Sequence, residues 1–268
     1  MIKSAINYTG GKYKLLPTLL DLFPDNINEF VDLFGGAFNV GVNIEANTIY
    51  YNELNSQLYE LISNMPEFKI SEIEYLIKEW DLDNANKESY ISFREHYNSN
   101  KNPINLYILM CHSFSNIMRF NSKGDFNAPF GQRTFNDNIK NNFIKFTELL
   151  RSKNIKYSNV DFRTFPILKN AFYYIDPPYR ISTATYNENN GWSLDDDLDL
   201  MNYCDKLNSS GIKFAMSNVF ENKGLVNNEL MEWSKKYNVI YIENSYNSCN
   251  YQRKNKDKPT IEVLITNY

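Results

Sequence analysis

The chain has 268 residues, of which 43 % are hydrophobic, and a formal net charge of -4. That supplies one substantial core plus a smaller accessory unit, so two domains are expected. No run approaches the roughly 18 uncharged apolar residues that span a bilayer, and Met1-Ile2-Lys3-Ser4 lacks the apolar stretch of a signal peptide; a cytoplasmic protein without a membrane span is expected.

In chain order, Leu15, Leu16, Leu19, Leu20 and Phe23 recur at helical spacing and predict an amphipathic helix over Lys14 to Phe23, entered through Gly10-Gly11. Glu29 to Phe34 predicts a short buried strand, followed by Gly35-Gly36, a helix over Asn39 to Ala46 and a second strand at Thr48 to Asn52. From Ser56 to Lys156 the periods are mostly helical, as in Ile73 to Trp80 and Leu106 to Met118. A polar stretch from Asn121 to Arg133 interrupts them. A strand at Ala171 to Ile175, a helix at Asp196 to Asn208 and a strand at Lys213 to Ser217 resume the α/β rhythm. Val239 to Ile242 and Ile261 to Thr266 read as a terminal β-hairpin. The fold class is therefore α/β: a doubly wound, Rossmann-like sheet over residues 1–55 and 157–268, with a mostly helical second domain, 56–156, inserted in it.

Cys111, Cys204 and Cys249 are odd in number and far apart, and His96 and His112 complete no zinc-ligand spacing, so neither disulfides nor a metal are expected. The acidic balance argues mildly against nucleic acid, but local charge matters more. Arg119 to Arg133 carries Arg119, Lys123 and Arg133 against Asp125, and Tyr251 to Thr260 carries Arg253, Lys254, Lys256 and Lys258 against Asp257. On charge alone either run also fits an ordinary solvated surface.

Strand, glycine pair, helix and strand together form an arrangement that admits adenosine-type cofactors. Glu53 follows Asp32 by 21 positions, close to the roughly 20 expected for a carboxylate on ribose hydroxyls. Gly35-Gly36-Ala37-Phe38 is not the dinucleotide fingerprint, which suits a donor without phosphate, S-adenosylmethionine; a merely structural Gly-Gly turn stays open. Asp176-Pro177-Pro178-Tyr179 is more specific, standing at the C-terminal end of a predicted strand, where open sheets place ligands. The Asp176 carboxylate and the Pro177 carbonyl, exposed by the rigid Pro177-Pro178 pair, offer two acceptors for the two hydrogens of an exocyclic amine. Tyr179 offers a face for a purine.

These motifs resemble the Dam-type adenine-specific DNA methyltransferases, the alpha group of the D12 class, and most of all the Dam enzymes of T-even phages. The likeness runs nearly end to end. It is carried by Tyr8-Thr9-Gly10-Gly11-Lys12, Phe30-Val31-Asp32-Leu33-Phe34, Phe114-Ser115-Asn116 through Pro129-Phe130-Gly131, and Asp176-Pro177-Pro178-Tyr179, in that order. The resemblance implies transfer of methyl from S-adenosylmethionine to N6 of a flipped-out adenine in double-stranded DNA, within GATC, with 56–156 as the target-recognition domain. It assigns Tyr8, Gly10, Lys12, Asp32, Phe34, Gly36, Glu53, Asp161, Phe162 and Asp176 to the cofactor. Phe114, Ser115, Asn116, Arg119, Pro129, Arg133 and Tyr186 fall to DNA, with arginines suited to guanine in the major groove. Phe38 stands where many relatives have glycine. Trp80, Trp192 and Trp233 are expected to pack, and His112 to be a core residue. A monomer in solution is expected; dimerisation on DNA stays open. Two alternatives remain: a methyltransferase acting on cytosine or protein glutamine, and a catalytically silent DNA-binding regulator.

Overall fold

The computed structural model describes residues 1–181, 191–242 and 260–268. Tyr186, Cys249 and the basic run before Thr260 lie outside the described residues. A 3-10 turn, Lys12–Leu15, leads into helix α1, Leu16–Leu22. Strands β1, Glu29–Asp32, and β2, Thr48–Asn52, follow. Then come α2, Ser56–Asn64; α3, Ile70–Glu79; α4, Lys87–Ser99; α5, Pro103–His112; and α6, Asp137–Ser152. The sheet resumes with β3, Ile155–Ser158, and β4, Ala171–Ile175. Helix α7, Leu194–Ser209, strands β5, Phe214–Asn222, and β6, Leu225–Val226, and helix α8, Asn228–Ser234, precede β7, Asn238–Ile242, and β8, Thr260–Thr266.

The strand order is β3-β2-β1-β4-β5-β8-β7, with β6 on β5. Strands β1 to β5 run parallel, while β8 lies antiparallel between β5 and β7. The chain order reverses between β1 and β4, which makes their C-terminal ends the topological switch point. The expected doubly wound α/β class with a terminal antiparallel pair is therefore present.

Alternation along each strand divides the core between the two faces of the sheet. Phe30, Phe172 and Tyr174 pack on one side with α1 to α6, and Val31, Tyr173 and Ile175 on the other with α7 and α8. Segment 56–156 shares the first of these cores with the sheet, since Leu61, Phe93 and Phe143 join Phe30 and Ile49 in one cluster. Its last two residues, Ile155 and Lys156, already belong to β3. Helices α2, α4, α5, α6 and α8 each begin at an asparagine whose side-chain oxygen accepts a first-turn amide, and α7 begins with a Ser193–Asp196 capping box.

Two predicted helices are corrected. Asn39 to Ala46 forms no α-helix, only a 3-10 turn, Gly41–Asn43. The side chains of Asn39 and Asn43 are bonded to the backbones of Ser4 and Ile2, and the Gly41 amide donates to Asp32 Oδ2 at 2.9 Å, so tertiary bonds replace the helical ladder. Helix α5 ends at His112 instead of reaching Met118. Ser115 and Asn116 adopt left-handed backbone conformations (φ 56° and 52°), and Asn116 Nδ2 caps the helix end by donating to the carbonyls of Cys111 and Met110 at 2.9 and 3.3 Å.

Candidate active site

Both ends of the switch point carry an acid. Asp32 closes β1, is buried, and accepts the Gly41 amide. Burial raises its carboxyl pKa to about 7, the Gly41 bond opposes this, and the charges of Asp176 and Glu53 add to it. Glu53, just past β2, accepts the amides of Gly36 at 2.9 Å and Asn55 at 2.8 Å, and burial raises its pKa against those bonds. It therefore ties the glycine turn to the end of β2 whatever else it binds. A Cβ on Gly35 would stand 2.3 Å from the ring of Tyr51, whose hydroxyl donates to the Gly36 carbonyl at 2.8 Å, so the turn is sealed from beneath. Phe38, at the position where the resemblance implies glycine, is left-handed: its φ is 61°, and its buried ring meets Tyr51 edge-on at 4.7 Å. Packing compensates the left-handed strain.

The N-terminal motif folds over this turn. Gly10 is left-handed (φ 81°), and the Gly11 amide donates to the Tyr8 carbonyl at 3.2 Å. The Tyr8 ring carbons lie 3.7 and 3.8 Å from where a Gly36 Cβ would be. Lys12, almost fully buried, reaches Asp176 Oδ1 at 2.9 Å and the Gly10 carbonyl at 3.2 Å, and lies 4.9 Å from the centre of the Tyr179 ring. Tyr179 donates its hydroxyl to the same Asp176 oxygen at 2.9 Å. Burial, then the charges of Asp176 and Glu262, holds the phenol well above its ordinary pKa, so it is a donor and not a base. Asp176, Pro177, Pro178 and Tyr179 thus stand directly beside Asp32 and Lys12.

On the α7 side of the switch point, Phe34 lies 5.5 Å from Phe162 and 5.7 Å from Trp192, and Phe162 lies 5.8 Å from Trp192. The three rings form an aromatic wall. Asp161 turns its carboxylate to the Arg163 amide (2.8 Å) and guanidinium, which also pairs with Asp196 and Asp199. Together the groups fit S-adenosylmethionine: the carboxylates of Asp32, Glu53 and Asp176 at the switch point suit a cationic donor, and the ring wall suits its purine.

The predicted DNA residues lie on and beside a hairpin bolted to the helices. Bridges pair Ser113 with Phe130 and Phe120 with Phe126. Phe126 and Ala128 are buried, and Tyr90 of α4 donates to the Ala128 carbonyl at 2.8 Å. The Gly131 amide donates to the His112 carbonyl, and a Cβ on Gly131 would fall 2.1 Å from the Ser113 carbonyl oxygen. This framework presents Phe114, which is 60 % exposed, together with exposed Ser115, Arg119, Pro129 and Arg133. Arg119 bonds Asn127 through Nε (2.9 Å) and Nη2 (2.7 Å), whereas the Asn116 side chain is spent on the end of α5. Asn7 donates to the Ser115 carbonyl at 2.8 Å, which links this surface to the motif at Tyr8.

Several residues of the site were not singled out from sequence. Glu262 interrupts an apolar strand, a signal that was legible. Trp192 does pack, as expected, but against the two rings assigned to the cofactor, a proximity that no local pattern shows. Arg180, next to Tyr179, pairs with buried Asp197 at 2.8 Å and exposed Glu229 at 2.7 Å. His96 gains a partner in Trp80, with ring centres 4.9 Å apart, and His112 is a core residue.

The raised Asp32 pKa makes a stability prediction. Between pH 4 and 7 the folded chain holds a proton on Asp32 that the unfolded chain has lost, so this group's contribution to stability falls as pH rises through that window and levels off above it. Melting without added donor is expected to become less stable from pH 5 to 8, and Asp32→Asn to flatten the slope; an equal slope in both proteins would contradict the raised pKa.

A parallel sheet with an antiparallel strand set between β5 and β7, and acidic residues gathered where its order reverses, define a Rossmann-like methyltransferase fold. Residues 8–248 match the family described as D12 class N6 adenine-specific DNA methyltransferase, and the chain belongs to that family. It is 40 % identical to the modification methylase StsI of Streptococcus sanguinis over 100 % of this chain and 43 % of that protein. Identity and coverage are the same for the type II methyltransferase M.FokI of Planomicrobium okeanokoites. The DNA adenine methylase of Vibrio cholerae is 26 % identical over 81 % of each chain. The chain thus spans less than half the length of the first two relatives. These likenesses are to a modification methylase, a type II methyltransferase and a bacterial DNA adenine methylase, not specifically to the T-even phage enzymes that the motifs resemble.

Proposed function

We propose that the chain transfers the methyl group of S-adenosylmethionine to the N6 amine of an adenine flipped out of double-stranded DNA. The observation that carries this is the meeting of Asp176-Pro177-Pro178-Tyr179 with Asp32 and Lys12 at the switch point, in a chain of the D12 class. When bound, S-adenosylmethionine supplies an electrophilic methyl group. Tyr8, Gly10, Lys12, Gly36 and Glu53 enclose its place, Asp32 faces its positive charge, and Phe34, Phe162 and Trp192 line the purine side beside Asp161. Asp176 and the Pro177 carbonyl accept the two amine hydrogens and orient the nitrogen lone pair toward the methyl, so catalysis is positioning and electrostatics. Asp176 would also take the proton that the amine gives up once methylated by the donor, and pass it to water. Tyr179, and Tyr186 from outside the described residues, stack on the flipped base.

Residues 1–55 and 157–268 serve as the catalytic part and 56–156 as the target-recognition part, with Phe114 as a wedge and Ser115, Asn116 and Pro129 alongside it. Arg119 and Arg133 read guanine. Replacing either with alanine is expected to weaken recognition by about 1–3 kcal/mol at one base position; a uniform loss across all sequences would mark a phosphate contact instead. GATC is the site that the Dam likeness supplies. Two relatives aligned over the whole chain are named a modification methylase and a type II methyltransferase, which favours a second reading, a short adenine-containing site paired with an endonuclease. Sequencing the methylated adenines in DNA from cells expressing the chain separates the two, and label entering cytosine or protein would overturn both. The protein would act in the cytoplasm, as a monomer in solution; among the described residues no helix is long and apolar enough to cross a membrane.

A further inference from the structure

A single charged residue interrupts the apolar run of β8. Glu262 is 7 % exposed and stands in register with Val219 of β5 and Ile242 of β7. An ionised carboxylate so placed needs partners close by. Its Oε1 lies 3.8 Å from Lys12 Nζ and 3.5 Å from the Tyr179 hydroxyl. Those are the two groups that Asp176 Oδ1 already holds at 2.9 Å. Lys12 and Tyr179 therefore stand between two carboxylates, nearer to one of them.

That placement bears on the proposed methyl transfer, on which this inference rests. Asp176 must accept a hydrogen bond from the target amine, yet one of its oxygens is engaged by an ammonium and a phenol. Neither donor can simply be dropped. Lys12 is buried and its charge needs a counter-charge. Tyr179 keeps its proton and needs an acceptor.

We propose that Glu262 is the second position of a donor exchange. When the adenine amine reaches Asp176, Lys12 and Tyr179 move their hydrogen bonds from Asp176 Oδ1 to Glu262 Oε1. Less than about 1 Å of movement closes the present separations of 3.8 and 3.5 Å to ordinary bond lengths. The exchange frees Asp176 for the substrate while the lysine stays neutralised. Glu262 is a positioning residue, acting through Lys12 and Tyr179 without touching the base.

Glu262→Gln tests this, since it keeps the shape and one acceptor oxygen but removes the charge. Single-turnover methylation of a duplex carrying the chain's own site is expected to slow by ~10- to 100-fold. Donor affinity and melting temperature should stay near wild type, and Glu262→Asp should recover part of the rate. A wild-type rate in Glu262→Gln overturns the proposal, as does a rate loss matched by equal losses in donor affinity or melting. If Glu262→Gln fails to fold, Glu262→Asp is compared in the wild-type and Lys12→Met backgrounds. The proposal expects the glutamate change to add little once Lys12 is gone, and full additivity overturns it. A wild-type chain that methylates no adenine in any DNA refutes the methyl-transfer reading itself, whereas an active wild type with an unaffected Glu262→Gln refutes only the role of Glu262.

Discussion

Replacing Asp176 with alanine is expected to lower adenine methylation by at least ~100-fold, the scale on which removing one pre-set polar partner of a reacting group acts. The carboxylate sits at the end of β4, beside Asp32 and held by Lys12 and Tyr179 at 2.9 Å each. Without it the amine loses the acceptor that orients its lone pair. The exposed residues expected to grip DNA stand on the separate, helix-anchored hairpin around Phe114 and Pro129, so duplex affinity is expected to change little. Lys12 keeps Glu262 at 3.8 Å as a counter-charge, so the variant should fold, and a melting curve checks that. Unaltered methylation by Asp176→Ala would refute the catalytic assignment. Donor binding by the wild-type chain with no turnover on any DNA would point to the silent regulator instead.

The largest expected effect on stability comes from Arg180. Its guanidinium pairs with Asp197, which is 3 % exposed, and reaches Asn227 at 2.8 Å and Glu229 at 2.7 Å. The pair joins the turn after β4 to α7 and α8. Removing one partner of a buried ion pair strands the other charge, and Arg180→Met is expected to destabilise by about 3 kcal/mol. Asp197 keeps two neutral donors, Trp192 Nε1 at 2.7 Å and Asn227 Nδ2 at 3.2 Å, so the loss falls at the low end of such cases. Adding Asp197→Asn to Arg180→Met removes the stranded charge and should recover part of the loss. Denaturant midpoints of the three proteins test this, and a double variant less stable than Arg180→Met would contradict it. Because Arg180 follows Tyr179 directly, methylation should also slow in the single variant.

Much of the architecture was legible because it follows from local patterns. Short apolar runs marked β1, β2, β4, β7 and β8, and the position of Asp176-Pro177-Pro178-Tyr179 after a strand already placed it at the C-terminal edge of the sheet. The misread elements share a cause. Asn39 to Ala46 and Phe114 to Met118 have helical spacing, but their asparagines are drawn to partners elsewhere in the chain: Asn39 and Asn43 to the N-terminal segment, and Asn116 to the end of α5. Tertiary hydrogen bonds override a weak local preference.

The site divides along the same line. Sequence alone determined which groups are present: an acidic end to β1, a rigid Asp-Pro-Pro-Tyr turn after β4, an N-terminal lysine and an arginine-bearing stretch before α6. These are contiguous motifs, legible from residue type and spacing alone. Only the tertiary structure decided their relations. It brought Glu262, near the C-terminus, within 3.8 Å of Lys12, set Trp192 against Phe34 and Phe162, and shared one core between the insertion and the sheet. Those contacts join residues far apart in the chain, where spacing carries no signal, and are fixed by the strand order that sets β1 against β4 and β8 against β5.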